Sequence, residues 1–163
     1  MKRKKGSTTF LKIAVILMGI PVLALCIFLV PELASEAAEH YPGADILQYP
    51  FLIGIYVTAI LFFVILYQAL SLLNYIDKNK AFSELSIKSL KNIKYCAVTI
   101  SILYVVVIMP FIYRVAQGED APGLIIIGMA ITLSPTVIAV FAAVLQRLLQ
   151  EAIDIKSENE LTV

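Results

Sequence analysis

Four long apolar stretches constrain this chain most, because each is long enough to cross the hydrocarbon core of a membrane. A spanning α-helix takes about 20 consecutive, mostly apolar residues. The stretches show no alternation of apolar and polar residues, and open sheet edges would leave backbone groups unpaired in lipid, so strands are excluded. We therefore predict one all-α membrane domain, residues 1–163, built as a four-transmembrane-helix bundle. The predicted segments are spans 11–30, 51–73, 96–113 and 124–146, an amphipathic helix over 83–94, and a helix and tail over 147–163.

The overall composition agrees with a chain that has lipid as its solvent. Charged residues make up 15% of the chain, whereas soluble domains contain about 25%. The first apolar stretch follows a basic run, as in signal peptides, but it is longer than the usual core of about 7–15 residues, and we expect it to be retained. Cys26 and Cys96 lie within apolar runs, which predicts buried free thiols rather than a disulfide framework.

The distribution of basic residues predicts the orientation. Of the 13 lysines and arginines, all except Arg114 lie at or before the start of span one, between spans two and three, or after span four. The acidic segments 31–50 and 114–123 are predicted to be short loops on the opposite side. Cytoplasmic loops carry the excess of Lys and Arg. We therefore predict a multi-pass protein of the bacterial cytoplasmic (inner) membrane with both termini and the middle loop in the cytoplasm.

The centres of the spans contain no ionisable residue, which weighs against an ion-coupled transporter or a proton pump. Lys12 lies near the end of a span, where its side chain can snorkel to the interface. Gln68 is the most polar residue within a span, and either an interhelical hydrogen bond or a substrate contact would account for it. Proline kinks are predicted at Pro21, Pro110 and Pro135.

Small residues follow one face of span four at spacings of three and four. Small side chains let two helix backbones approach closely, which is how helices gain van der Waals contact in lipid. We predict that this face packs against another helix and that it supports a homodimer. Its residues are Gly128, Thr132, Thr136, Ala139 and Ala143.

The segment after span two is amphipathic and rich in lysine. Ser83 is a candidate N-cap, Glu84 suits the positive end of the helix dipole, and Phe82 with Ile87 has the spacing of a hydrophobic staple. The apolar arc is expected to face the bilayer while Lys88 and Lys91 face lipid phosphates. The segment then serves either to fix the topology or to dock a cytosolic protein. The arc comprises Phe82, Ile87, Leu90, Ile93 and Ala97.

The C-terminal tail is a second amphipathic element and has an acidic end. A helix that continues span four to Ile155 would project beyond the bilayer. Its last residues would bind the basic groove of a partner, pack on the lysine-rich segment, or fray in solvent. The candidate partner-binding residues of the two elements are Phe82, Ser83, Lys88, Lys91, Glu158, Asn159, Glu160 and Leu161.

Patterns that indicate catalysis or metal binding are weak in this sequence. His40 is the only histidine, and with Glu36 and Glu39 it makes at most a loose metal site. The sequence contains no Ser/His/Asp set, no Cys/His pair and no glycine-rich phosphate loop. We therefore predict a protein that is not an enzyme, with no catalytic residues, cofactor or metal. No direct contact with nucleic acid is expected, because the topology explains the lysines beside the bilayer.

Two short motifs resemble an uncharacterised bacterial family of four-helix integral membrane proteins. One is Ala81-Phe82-Ser83 followed by Leu90-Lys91-Asn92-Ile93, and the other is the tail 158–163, in which Glu160 replaces a more usual aspartate. The number and spacing of the spans also agree. Genes of that family often neighbour a small helix-turn-helix regulator of the Xre/Cro type. The resemblance therefore implies a bacterial inner-membrane location and a link to signalling, and it carries no catalytic residues.

Two functional hypotheses follow from the sequence. The first is a regulatory or scaffold protein whose cytoplasmic helix and tail bind a cytosolic partner, with a small DNA-binding regulator as the candidate. The second is a small transporter, exporter accessory or immunity-type membrane protein. It requires a cavity among the helices, near Gln68, Tyr104 and Thr132.

The predicted orientation can be tested with reporter fusions. Green fluorescent protein fused after Lys80 is expected to fluoresce, and alkaline phosphatase fused there to be inactive, because the phosphatase needs the oxidising periplasm for its disulfides. Fusions after Pro42 serve as the control and should behave in the opposite way. Active phosphatase after Lys80 would invert the predicted topology.

Overall fold

Long α-helices account for almost all of the chain that the structure describes. The computed structural model describes residues 2–162, with side chains for 6–43 and 45–162. The α-helices are α1 (Lys2–Ala24), α2 (Val30–His40), α3 (Ala44–Asp77), α4 (Glu84–Leu103), α5 (Met109–Gly118) and α6 (Pro122–Leu161). Two π-helical turns, Leu25–Leu29 and Tyr104–Ile108, join α1 to α2 and α4 to α5.

These helices form four rods, each containing a helix long and apolar enough to cross a membrane. Rod 1 comprises residues 2–40, rod 2 is α3, rod 3 comprises residues 84–118, and rod 4 is α6. Within residues 2–162 no strand is present. The predicted all-α bundle of four transmembrane helices is therefore confirmed.

The rods are longer than the predicted spans. Rod 4 has 40 residues, or about 60 Å at 1.5 Å per residue, against a hydrocarbon core of about 30 Å. The prediction of loops over 31–50 and 114–123 is wrong, because helix continues through Pro31 to His40, Pro50 lies inside α3, and α6 begins at Pro122. The connectors at this end shrink to residues 41–43 and 119–121.

The two π-helical turns let rods 1 and 3 continue through a proline. Each turn has five residues and ends two residues before a proline, Pro31 or Pro110. The N–H of Val30 donates to the carbonyl of Leu25, and the N–H of Met109 donates to that of Tyr104, five residues back in both cases. A proline lacks an N–H and crowds the carbonyl four residues earlier. The wider turn keeps neighbouring backbone groups paired, as hydrocarbon requires.

Consecutive rods pack against each other, and a glycine lies at each of the three contacts. A Cβ on Gly54 of rod 2 would lie 2.8 Å from Cγ1 of Val107 in rod 3. A Cβ on Gly128 of rod 4 would lie 3.1 Å from Sδ of Met109. Real Cβ atoms essentially never approach as closely as the first separation, and the second is tighter than most, so these glycines let the rods approach each other closely. The third contact places Gly19 against Phe63 and Leu66.

The predicted amphipathic helix is not a separate element but the first part of rod 3, because α4 runs without a break from Glu84 into span three. Ile87, Leu90, Ile93 and Ala97 are buried inside the protein, where α4 packs against α3 and α6. The expectation that this arc faces the bilayer is therefore wrong, except for the exposed Phe82. The neighbouring rods extend as far as α4 does, so protein covers this face instead of lipid.

Ser83 occupies the N-cap position of α4, as predicted, but its side chain does not cap the helix. Its backbone is extended, and its carbonyl accepts a hydrogen bond from the N–H of Ile87. The hydroxyl instead donates to the carbonyl of Lys80 at 2.6 Å. Ser83 thus stabilises the connector that precedes the helix.

Part of the small-residue face of α6 packs within the chain. Gly128 and Ala139 are buried, and α6 packs against α4 and α5. The hydroxyl of Thr136 donates to Oγ of Ser101 at 3.1 Å, while that of Thr132 donates to the carbonyl of Gly128. Gly128 and Ala139 are therefore not available to a second copy. A homodimer remains a prediction that needs another face.

Replacing Gly128 with leucine is expected to destabilise the protein. The added side chain would meet Met109 and Ile112, and overpacking of this kind typically costs about 1–3 kcal/mol. Gly123→Leu is the matched control, because no atom lies within 4 Å of a Cβ at that position. The measurement is unfolding in detergent followed by circular dichroism. Equal stability of the two variants would contradict this packing.

Candidate functional site

A groove lies at the end of the bundle that carries connector 78–83, the start of α4 and the last turns of α6. We call this the lysine-rich end. The groove has a volume of about 740 Å³ and separates the connector from α6. We refer to it as the tail groove. Its walls are formed by Phe82, Ala152, Ile155, Lys156, Asn159 and Glu160.

Local backbone geometry positions the two walls of the tail groove. After α3 ends, Asn79 adopts a left-handed conformation with φ of 57°, which asparagine tolerates better than most residues. The N–H of Lys80 then donates to the carbonyl of Tyr75 at 2.7 Å. This reversal carries the chain to Phe82. The α6 residues of the other wall recur at spacings of three and four, so they share one helix face.

Phe82 borders a second cavity of about 440 Å³ at the same end. The walls of that cavity include Thr8 and Leu11 of α1, and Leu73 and Ile76 of α3. The aromatic ring therefore stands between two cavities, and the residue remains 57% exposed. An exposed aromatic between two concave surfaces is a candidate anchor point for another molecule.

The structure brings together part of the predicted partner-binding set. Phe82, Asn159 and Glu160 all line the tail groove. The remaining residues lie outside its walls: Ser83, Lys88, Lys91, Glu158 and Leu161. Sequence reasoning did not identify Ile155 as part of this site, although its spacing from Ala152 and Asn159 on the helical tail was an available signal.

Opposite charges surround the tail groove. The helical tail carries four acidic residues, Glu151, Asp154, Glu158 and Glu160, against two basic residues, Arg147 and Lys156, and all of these are exposed. Arg147 pairs with Glu151 at 3.5 Å, so the tail has an acidic excess of two. The connector on the other side carries the exposed Lys78 and Lys80. The α6 side of the groove therefore favours a ligand with positive charge.

An ion pair joins rods 1 and 2 at the lysine-rich end. Nζ of Lys12 lies 2.5 Å from Oδ2 of Asp77, and the two side chains are only 26% and 22% exposed. Lys12 was expected to snorkel into the interface, whereas it is paired within the protein. The sequence did contain a signal for this ion pair. Lys12 lies early in span one and Asp77 lies after span two, on the same predicted side of the membrane.

The opposite end of the bundle is acidic. It carries Glu32, Glu36, Glu39, Asp45, Glu119 and Asp120, with Arg114 as the one lysine or arginine in segments 31–50 and 114–123. The Tyr41 hydroxyl donates a hydrogen bond to the carboxylate of Glu119 and so links the two connectors. That hydrogen bond, followed by desolvation and the charge of Glu119, raises the pKa of Tyr41 above its usual value.

Two cavities lie among the rods between the acidic end and the bundle centre. The outer cavity measures about 670 Å³ and the inner one about 350 Å³. Of the three residues predicted to lie near a cavity, Tyr104 lines both cavities, whereas Gln68 and Thr132 line neither. Among the described residues, no group of three or more His, Cys, Asp and Glu side chains could hold a metal ion. Cys26 and Cys96 are free thiols.

Comparisons with known proteins agree with this architecture. Residues 32–163 match a family described as protein of unknown function (DUF2975). The chain is 63% identical over 157 residues to the uncharacterised membrane protein YoaS of Bacillus subtilis (strain 168), covering 96% of this chain and 98% of that protein. No solved structure matches the chain. The molecule is thus a multi-pass membrane protein with relatives of unknown function, as the sequence resemblance implied.

Removing the cation of the Lys12–Asp77 pair is expected to destabilise the protein. Lys12→Met leaves the mostly buried Asp77 carboxylate without this partner, which should lower the free energy of unfolding by about 1–3 kcal/mol. Replacing both residues, as Lys12→Met with Asp77→Leu, should recover part of the loss. Arg147→Met is the control, because the Arg147–Glu151 pair is exposed and should contribute less than about 0.5 kcal/mol. Denaturant unfolding in micelles measures all three, and equal losses for Lys12→Met and Arg147→Met would contradict this role.

Proposed function

The chain belongs to the DUF2975 family of proteins of unknown function, and we propose that it is a regulatory or scaffold protein that binds a cytosolic partner in the tail groove. The proposal includes a location in the bacterial cytoplasmic membrane with the lysine-rich end and both termini in the cytoplasm, and the excess of Lys and Arg at that end supports it. The partner is a small soluble protein with a basic surface, and a small DNA-binding regulator is the candidate.

The observation that carries this proposal is the tail groove itself, which we infer to lie beyond the hydrocarbon. Asp77, Lys78 and Lys80 mark the level at which the chain leaves the apolar core, since such side chains avoid its centre. Phe82 follows this level in the connector, and the groove pairs it with Ile155 and Ala152 of α6. Phe82 and Ile155 are both more than half exposed. Apolar side chains exposed in water and flanked by polar residues commonly mark protein contacts.

The chemistry of the walls specifies the occupant. The apolar floor suits one or two large apolar side chains of a partner helix, spaced as on a helix that docks in a groove. Glu160 and the other acidic residues of the tail favour Lys or Arg beside those anchors, and Asn159 offers an amide for hydrogen bonding. Proteins that bind DNA carry such basic surfaces. The gene neighbourhood implied by the resemblance supports the same choice of partner.

The proposed role is binding rather than catalysis. Glu160 and Lys156 are the titratable groups of the groove walls, and the walls hold no Ser, Cys or His. Activated nucleophiles need an adjacent base, and this combination of side chains does not supply that pair. The α6 helix, which continues to Leu161, instead provides a continuous surface for a protein contact.

Site-specific photocrosslinking in native membranes tests the proposal. A photoreactive amino acid at Asn159 is expected to capture one soluble basic protein, and the same residue at Tyr49, exposed near the acidic end, should capture none. Phe82→Glu should reduce the capture about tenfold, because it puts a charge on the apolar floor. Leu161→Glu is the control, since Leu161 is exposed but lies outside the groove.

The captured protein is then purified and its binding to the intact membrane protein measured in nanodiscs at several salt concentrations. Two results together support the proposal: binding weakens as the salt concentration rises, and at each salt concentration Phe82→Glu binds more weakly than Leu161→Glu. Capture that is equal in the two variants, or no capture from Asn159, rejects it.

A further inference from the structure

The two cavities between the acidic end and the bundle centre adjoin each other and together make a candidate binding site. Ile55, Tyr104 and Ile131 belong to the walls of both cavities. All four rods contribute walls, so no single helix pair encloses the space. The volumes of about 670 and 350 Å³ lie within the range of about 300–1,000 Å³ usual for small-molecule sites.

The inner part of this site is suited to hydrocarbon. Its walls carry no Asp, Glu, Lys, Arg or His, and most of its side chains are aliphatic or aromatic, such as Ile100, Phe62 and Ile138. A buried charge without a partner is costly in such surroundings. The inner cavity therefore accepts a neutral apolar chain and rejects a charged group.

The outer part of the site carries charge at its mouth. Glu36 and His40, one helical turn apart on α2, line it together with Tyr41. Among the described residues, the Glu36 carboxylate has no ion pair or side-chain hydrogen bond, and Nδ1 of His40 lies 2.9 Å from the backbone carbonyl of Glu36. Arg114, the one lysine or arginine of this end, is placed beside Gly43 and does not line the cavity. The mouth thus presents an unpaired anion above an apolar cavity.

We propose that this site binds an amphiphile with a single hydrocarbon chain and a cationic headgroup, the chain inserted toward the bundle centre and the head beside Glu36. An amphiphile that enters from the membrane surface has this direction, with its head at the interface and its chain at depth. Charge complementarity selects the cation, because a phosphate or sulfate head would be repelled by the Glu36 carboxylate that lines the mouth. The proposal is independent of the partner proposed for the tail groove.

Three probes with the same dodecyl chain test the proposal on the full-length protein in zwitterionic nanodiscs, with empty nanodiscs subtracted. Dodecyltrimethylammonium is expected to bind at least about tenfold more tightly than dodecyl maltoside, and dodecyl sulfate more weakly than either. Calorimetry measures the affinities. A photoreactive dodecylammonium probe with its reactive group at the chain end should label residues around Ile55, Tyr104 and Ile131.

Two variants and a control separate the head and chain contacts. Glu36→Gln is expected to weaken dodecyltrimethylammonium binding about tenfold and to leave dodecyl maltoside unchanged, whereas Ile131→Trp should weaken both by filling the cavity. Glu32→Gln is the matched control, because Glu32 is exposed on the same helix and does not line the site. Circular dichroism checks that each variant is folded. Equal affinity for the cationic and neutral probes, an equal effect of Glu32→Gln and Glu36→Gln, or labelling outside the cavities would overturn the proposal.

Discussion

The need to pair every backbone N–H and C=O in hydrocarbon is the constraint on which the rest of this structure depends. It makes each apolar stretch a helix, and it also explains how the rods accommodate Pro31 and Pro110 without ending. Pro31 and Pro110 each follow a π-helical turn whose hydrogen bond spans five residues. The rods therefore continue through sequences that would end a helix in water. Because they continue, the connectors at the acidic end are short and the protein has little structure outside its rods.

The packing of the rods follows from a second property of lipid. Because lipid tails are as apolar as the side chains of a protein core, the hydrophobic effect does not drive the helices together. Association then depends on close van der Waals contact, and one glycine at each contact between consecutive rods supplies it. Space nevertheless remains among all four rods, in the cavities between the acidic end and the bundle centre. Their apolar walls and acidic mouth give this end a chemistry different from that of the tail groove.

Particular residues show where sequence reasoning succeeded and where it did not. The spans and the N-cap position of Ser83 could be predicted from the sequence, because hydropathy and capping depend on residues that are close together in the chain. Phe82, Asn159 and Glu160, three of the residues predicted to bind a partner, line one groove, since topology brings two amphipathic elements at the same end of the bundle close together. Ile155 and the Lys12–Asp77 pair were missed, because each depends on the rotation and register of one rod against another. The arc from Ile87 to Ala97 was wrongly predicted to face lipid, since an apolar helix face has the same sequence pattern whether a bilayer or a neighbouring helix covers it.

The sequence by itself determined the membrane, the four helices and the separation of basic from acidic ends, because hydrophobic length and charge are properties of local composition. Only the tertiary structure decided which faces are covered by protein, which glycines lie at contacts, and that a groove and two cavities remain between the rods. Those features depend on the distances between side chains far apart in the chain. No local pattern encodes such distances, since each rod can turn about its axis without changing its own hydrogen bonds.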